Sequence, residues 1–373
     1  MTATSRWHRL DRVQPVLAGL LCALGVMTVF SAGADWLRQM LWVALGTVAY
    51  ATASAIDYRR LRAIAPALYA AMLLMLVAVR LVGHTALGAR RWLSVAGFPL
   101  EPSELSKLVL VVVLAAYLAR RERLAWRDFG GALAIVAMPA YLVLTQPDLG
   151  TTIVLVAILL GMLFLGGARP VQLLSLAAAA AVAIPVLPRL LHGYQRQRLE
   201  IFLDPSRDPL GAGYNLLQAR IAVGAGGLFG QGWLHGLQGQ LGYVPERATD
   251  FVFAIYAEEF GLFGSLVLLG VFGILLIRVL RAAAVSLDRF GALLAGGVFL
   301  VVFTQVVENV GMNIGALPIA GIPLPLISYG GSSTITTLAA LGVVQSVVLR
   351  RRLVAHREDP IPALGTITRR VQA

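Results

Sequence analysis

Residues 149–168 read LGTTIVLVAILLGMLFLGGA, twenty residues without a charge, bounded by Asp148 and Arg169. A helix crosses the apolar core of a bilayer in about 20 such residues. Working outward, charges punctuate the rest of the chain in the same way. Further uncharged runs occupy 13–34, 39–56, 63–79, 129–147, 170–188, 260–277 and 290–307. The segment 104–119 is also needed as a span, although Glu104 and Lys107 lie within it. The run 309–349 has 41 residues, too many for one crossing. Pro318, Pro323, Pro325 and several glycines make its first half a non-helical or re-entrant loop and leave 330–349 as the last helix. The expectation is an all-α polytopic membrane protein of about ten transmembrane helices. A long extracytoplasmic loop, 189–250, separates helices 7 and 8.

Composition agrees. Of 373 residues, 58% are hydrophobic and 13% charged, against about 25% charged in soluble proteins. That excludes an ordinary soluble enzyme and a disordered chain. The one cysteine, Cys22, excludes a disulfide framework and a cysteine zinc site. The net charge of +12 comes from 30 Arg and 1 Lys against 19 acids. A basic excess often marks nucleic-acid binding, but here the positive-inside rule accounts for it and no nucleic acid is expected. With the N-terminus inside, the inner loops and tail hold 20 basic residues; outside the long loop, the outer side holds 5. Both termini are then cytoplasmic. The N-terminal run lacks a small-residue cleavage site and reads as a retained anchor. One membrane domain is expected, with its core at 14–352 and a flexible polar tail at 353–373.

Polar groups at membrane depth are costly and demand a reason. Glu101-Pro-Ser-Glu104 precedes Lys107, three residues from Glu104 on one helical face. The pair either fixes helix packing or belongs to a polar site reached from outside. Arg90 and Arg91, just upstream, either anchor the interface or bind phosphate oxygens with forked hydrogen bonds. Asp148, in Gln146-Pro-Asp-Leu-Gly150, suits a helix cap. In the long loop, Asp204 to Tyr214, which includes Arg207, reads as turns. Residues 224–242 carry eight glycines. No strand precedes them and no Gly-Lys-Ser/Thr follows, so they permit tight turns and close backbone approach rather than nucleotide binding.

Glu246, Thr249 and Asp250 close the loop at the mouth of an apolar helix. Asp250 is either an N-cap or a carboxylate whose pKa desolvation raises, which suits a general base. Glu258 and Glu259 follow just inside the span. Glu308, Asn309 and the Pro/Gly-rich loop through Ser328 and Ser332 should line the same outward cavity. The five histidines are scattered without ligand spacing, so no metal site is assigned to side chains.

These motifs are long and ordered. Arg90-Arg91-Trp92, Glu101-Pro-Ser-Glu104 with Lys107, Gln146-Pro-Asp148-Leu-Gly150, Asp208-Pro-Leu-Gly-Ala-Gly213-Tyr214, Pro245-Glu246 with Thr249-Asp250-Phe251, Glu258-Glu259 and Pro323-Leu-Pro-Leu-Ile-Ser328-Tyr-Gly-Gly331-Ser332 together resemble the SEDS family (shape, elongation, division and sporulation) over residues 14–352. Gly232-Trp-Leu-His-Gly-Leu-Gln238 is similar to its elongation branch rather than its division branch. Glu101 departs from the glutamine usual before Pro-Ser-Glu and adds a charge near Glu104. The resemblance implies a peptidoglycan glycosyltransferase that polymerises lipid II for cell-wall elongation and rod shape. It also implies a class B penicillin-binding protein and other elongation-complex proteins as partners. The family's catalytic aspartate maps onto Asp250, and its Glu/Lys pair onto Glu104 and Lys107.

The donor linkage is α and the glycan product β, so a single inverting displacement needs one base and a stabilised leaving group, unlike the two-step covalent route. Asp250 would take the acceptor proton. Arg90, Arg91 and Lys107 would meet the pyrophosphate, with or without a divalent cation (Mg or Mn). Asp148, Arg207, Glu246, Glu258, Ser328 and Ser332 are the further candidates for binding substrate. The alternatives are a lipid II flippase, a scaffold, or the division-type polymerase of the same family.

Overall fold

Aspartates open four of the long helices. Asp35, Asp57, Asp148 and Asp288 each accept a hydrogen bond from a backbone N–H of the first turn, at 3.0, 3.0, 3.1 and 2.8 Å. Each cap satisfies a donor the helix cannot satisfy itself, worth about 1 kcal/mol. The computed structural model describes residues 10–350 apart from 87–88, 96–97, 122, 184–192 and 209–210.

Each expected span is matched by a helix. These are α1 (Val13–Ser31), α2 (Trp36–Ala55), α3 (Tyr58–Val82), α4 (Pro102–Leu118), α5 (Trp126–Leu144), α6 (Leu149–Leu165) and α7 (Pro170–Ala183). Beyond the long loop come α11 (Val252–Ala284), α12 (Arg289–Asn313) and α13 (Gly331–Leu349). Six of them are long and apolar enough to cross a bilayer, and Leu149–Leu165 and Pro170–Val182 are shorter apolar helices. The last residues of the expected span 170–188, and the tail 353–373, lie outside the described residues. The protein is an all-helical, multi-pass membrane protein. Its outward-turned leucines and phenylalanines, such as Leu74, Leu81 and Phe164, suit contact with lipid.

The helices pack around α13. Some 83% of its apolar window is buried, against 22% for α3, which places α13 centrally and α3 at the rim. At one end of the bundle, Asp11 pairs with Arg278 at 2.6 Å and Asp288 with Arg59 at 3.3 Å. The other end carries the connections that matter for function.

Two of those connections differ from expectation. Between α3 and α4, where an all-α fold would hold no strand, the chain forms a small antiparallel sheet of β1 (His84–Ala86), β2 (Ala89–Val95) and β3 (Phe98–Leu100) in the order β1-β2-β3. Thr85 pairs with Arg90 and Leu93 with Leu100. Backbone bonding within this ribbon satisfies polar groups that a plain loop would leave to water.

The long loop is largely helical: α8 (Gly193–Leu203), a 3₁₀ turn (Pro205–Arg207), α9 (Ala212–Ala225) and α10 (Leu237–Gln240). Its glycine-rich part wedges against α11, which starts at Val252, just past Asp250 as expected, and breaks at Gly261 (φ +65°). The N–H groups of Leu262 and Phe263 donate to the carbonyls of Gly227 and Leu228 at 2.9 and 3.0 Å. A Cβ on Gly261 would come within 2.3 Å of the Gly230 nitrogen. Only glycine permits both the φ and the approach.

Candidate active site

A cavity of about 480 Å³ opens at the loop-bearing end. Arg91 and Trp92 of β2, Glu101 and Glu104 at the start of α4, and Arg198 of α8 line it. So do Glu246, Thr249 and Asp250 before α11, Gly321 and Tyr329 of the 314–330 loop, and Ser332 and Ser333 of α13.

Asp250 is not the cap of α11. The N-cap is Phe251, with no side-chain cap, so the Asp250 carboxylate is left to the cavity. The turn is held by its main chain. Asn309 and Asn313 of α12 donate to the Asp250 carbonyl at 2.9 and 3.1 Å, and Asn313 Oδ1 accepts from Ala254 N at 3.0 Å. The Ser328 hydroxyl donates to the Thr249 carbonyl at 2.6 Å and accepts from Leu324 N at 2.8 Å. Gly321, at φ +71°, stands beside the carboxylate, and a Cβ there would lie 3.4 Å from Asp250 Oδ2. Withdrawal from water, reinforced by the Glu246 carboxylate, pushes the Asp250 pKa up to about 6 against the opposing pull of Arg198 and Arg91.

Arg91 is fixed by the motif that follows α5. Its guanidinium donates to the carbonyls of Gln146, at 3.3 Å, and Pro147, and lies 3.8 Å from the Asp148 carboxylate. Gln146 is itself anchored to the Leu76 carbonyl at 2.9 Å. Asp148 thus caps α6 and orients Arg91 without lining the cavity. Arg198 donates to the Ile319 carbonyl at 2.9 Å, which holds a second guanidinium over the same floor. Sequence reasoning missed Arg198, because nothing in the spacing of α8 points to a cavity 50 residues further on. It also missed Asn313 and Arg38, whereas Tyr329 lies in the loop expected to line the cavity.

Glu104 and Lys107 meet at 2.6 Å, with side-chain exposures of 4% and 2%. Glu104 reaches the cavity; Lys107 stands one turn beneath it. Glu101 is bound on both sides: its N–H donates to Ser332 Oγ at 2.9 Å and its carboxylate accepts from Ser103 Oγ at 3.0 Å. Burial, with Glu104 and Asp148 adding repulsion, pushes the Glu101 pKa up to about 8 despite Arg91 and Lys107.

The remaining candidates separate. Glu246 and Ser332 line the cavity. Ser328 sits behind it as a clasp. Glu258 turns away: its oxygens accept the N–H groups of Gln238 and Gly239 at 2.7 and 3.0 Å, holding α10 against α11. Glu259 accepts from the Ser31 hydroxyl and from Leu234 N. These two acids are clamps for the wedge loop, which explains their burial. Arg207 pairs with Asp204 at 3.3 Å on the surface, outside the cavity. Arg90 lies on β2, and its side chain lies outside the described residues. Among the described residues, no three His, Cys, Asp or Glu are grouped to hold a metal ion.

The cavity thus combines two carboxylates whose pKa values are raised, Asp250 and Glu101, with two fixed guanidinium groups. A model of the cell-cycle proteins FtsW, RodA and SpoVE matches residues 15–353. The Escherichia coli K12 protein named peptidoglycan glycosyltransferase MrdB is 40% identical over 94% of this chain and 96% of its own. A chain of a peptidoglycan synthase complex, solved to describe how polymerization and crosslinking are coordinated, is 35% identical. It superposes with a TM-score of 0.81 over 92% of this chain and 98% of that one. The rod shape determining protein RodA of Thermus thermophilus is 31% identical, with a TM-score of 0.70 over 92% and 98%. The chain belongs to the FtsW/RodA/SpoVE family.

Proposed function

We infer that this chain is a peptidoglycan glycosyltransferase of the elongation type, which polymerises lipid II at the cavity described above. The carrying observation is the placement of the Asp250 carboxylate opposite Arg91 and Arg198 in one cavity. With the N-terminus inside, that cavity opens on the outer face of the inner membrane and both termini are cytoplasmic, an orientation the arginine distribution supports.

Chain growth forms a bond between an acceptor sugar hydroxyl and the donor anomeric carbon, and breaks the bond from that carbon to the lipid pyrophosphate. Asp250 takes the hydroxyl proton as the oxygen attacks. A pKa near 6 leaves it ionised at neutral pH yet basic enough to accept. Arg91 and Arg198 meet the charge that develops on the leaving pyrophosphate, already oriented by carbonyls and thus without reorganisation. The displacement is single and inverts the anomeric centre. Glu104 holds Lys107 beneath the cavity floor, and the ammonium adds positive potential there. A divalent cation (Mg or Mn) bound with the substrate would add to the stabilisation of the pyrophosphate. The kinship with a chain of a synthase complex supports a crosslinking partner, a class B penicillin-binding protein.

The test is gel analysis of purified lipid II incubated with the chain and its cognate penicillin-binding protein, with Asp250→Ala alongside. A glycan ladder from wild type only is expected. A ladder of equal yield from Asp250→Ala removes the base assignment. No ladder from an intact wild-type complex removes the polymerase reading and favours lipid II translocation.

A further inference from the structure

Beneath the cavity floor lies a second, much smaller space between α4, α12 and α13. Glu104, Lys107, Gln305 and Thr336 are among its polar walls, and Val298, Val302 and Ala340 among its apolar ones. Glu308 stands one turn from Gln305 on α12, within electrostatic range of Lys107. All five polar side chains are more than nine-tenths buried: Glu104 3% exposed, Lys107 2%, Gln305 1%, Thr336 6% and Glu308 6%.

Their hydrogen bonding does not close among the described residues. Gln305 Nε2, Thr336 Oγ1 and Glu308 Oε2 are buried without a protein partner. Lys107 carries three N–H donors, and Glu104 Oε1 takes one. Each such group left bare is destabilising, because it loses its bonds to water and gains none in exchange. Two of them, Gln305 Nε2 and Thr336 Oγ1, share one chamber with the buried ion pair, which favours a common ligand.

The space holds about 10 Å³, room for one water-sized sphere. The chemistry selects water over a cation. The ammonium of Lys107 and the amide N–H of Gln305 both need an acceptor, and both repel a cation. A water oxygen accepts from these two, while its hydrogens serve Thr336 Oγ1 and a carboxylate oxygen of Glu104 or Glu308. That gives four bonds, the upper end for buried water.

We propose that this chamber binds one structural water that joins Gln305 and Thr336 to the Glu104–Lys107 pair, so that Gln305 and Thr336 are positioning residues for Lys107. Through the water, α12 and α13 are tied to the ammonium that underlies the anion-binding floor. The inference rests on the polymerase reading for its kinetic readout, but the water itself does not.

The experiment compares wild type, Thr336→Val, Thr336→Ser and Gln305→Met in the complex with the cognate penicillin-binding protein, using lipid II. Thr336→Val and Gln305→Met keep the volume and remove the hydrogen bonds. Both are expected to lower kcat about tenfold through misplacement of Lys107, with KM changed less than about twofold. Thr336→Ser should restore kcat, a rescue that packing alone would not give. Wild-type kcat in Thr336→Val, or a serine variant as poor as the valine one, overturns the proposal. A high-resolution map of the wild-type complex decides independently, even where the variants do not fold. A peak within hydrogen-bonding reach of Lys107 Nζ, Gln305 and Thr336 supports the water, and a dry chamber in a map that resolves other buried waters refutes it. A wild-type complex that makes no polymer defeats the polymerase reading while the map still decides the site.

Discussion

Asn309 of α12 donates to the main-chain carbonyl of Asp250 at 2.9 Å, and through the same amide to the Ile322 carbonyl at 2.8 Å. One side chain therefore ties the turn that carries the carboxylate to the loop that faces it. Asn309→Leu keeps the carboxylate and removes both ties. Polymerisation is expected to fall about tenfold or more through misplacement, while the protein still binds its penicillin-binding partner. Turnover in the purified complex checks this, and unchanged turnover means the turn is held without Asn309.

Asp250 must be ionised to accept a proton. Its pKa is raised from 3.8 to about 6, so the basic form is lost as pH falls through 6 rather than through 4. The expected profile of kcat/KM is flat at neutral pH and drops about tenfold per unit well below pH 6. Glu246→Gln removes a neighbouring negative charge that helps raise this pKa. It should move the acid limb towards lower pH. A limb that stays in place shows that burial alone sets it.

Glu101 is shifted in the same direction and further. Its pKa is pushed from 4.5 to about 8 in the fold, chiefly by burial. Between those values the folded chain binds more protons than the unfolded one, so stability falls as pH rises across that window. At neutral pH the side chain is mainly protonated and hydrogen-bonds as a neutral group beside Ser103. Glu101→Gln should therefore preserve activity at pH 7 and flatten the loss of thermal stability between about pH 5 and 8. Melting curves in detergent at several pH values decide the point. A parallel fall in both proteins would show Glu101 ionised throughout.

The ten spans were legible because charge punctuation is a one-dimensional signal: Asp148 and Arg169 bracket α6 whatever the tertiary structure does. The Asp250 and Glu104–Lys107 positions were legible for the same reason, as polar groups where apolar ones are expected. The wedge was not. The break at Gly261 arises from the backbone of Gly227, Leu228 and Gly230, more than 30 residues earlier. Glu258 and Glu259 stand out in sequence for their burial, yet burial alone does not separate a clamp from a ligand group. Arg198 enters the cavity only because its loop folds over Ile319. Such contacts depend on tertiary closure, and no periodicity encodes them.

The Glu104–Lys107 pair gives the sharpest separation of stability from chemistry. Both charges are buried, 2.6 Å apart. Removing one partner leaves the other uncompensated at membrane depth, which costs about 3–5 kcal/mol. Lys107→Met should therefore lower both the melting temperature and the polymer yield. Replacing both, as Glu104→Gln with Lys107→Met, removes the uncompensated charge and should recover most of the stability, because a buried ion pair contributes little net stabilisation over uncharged neighbours of similar size. Polymerisation should not recover, since the ammonium under the anion-binding floor is gone. Melting temperature and lipid II turnover measured on wild type, Lys107→Met and the double variant distinguish the cases. Recovery of turnover in the double variant would make the pair a packing device, and failure of stability to recover would mean that Glu308 already balances Lys107 without Glu104.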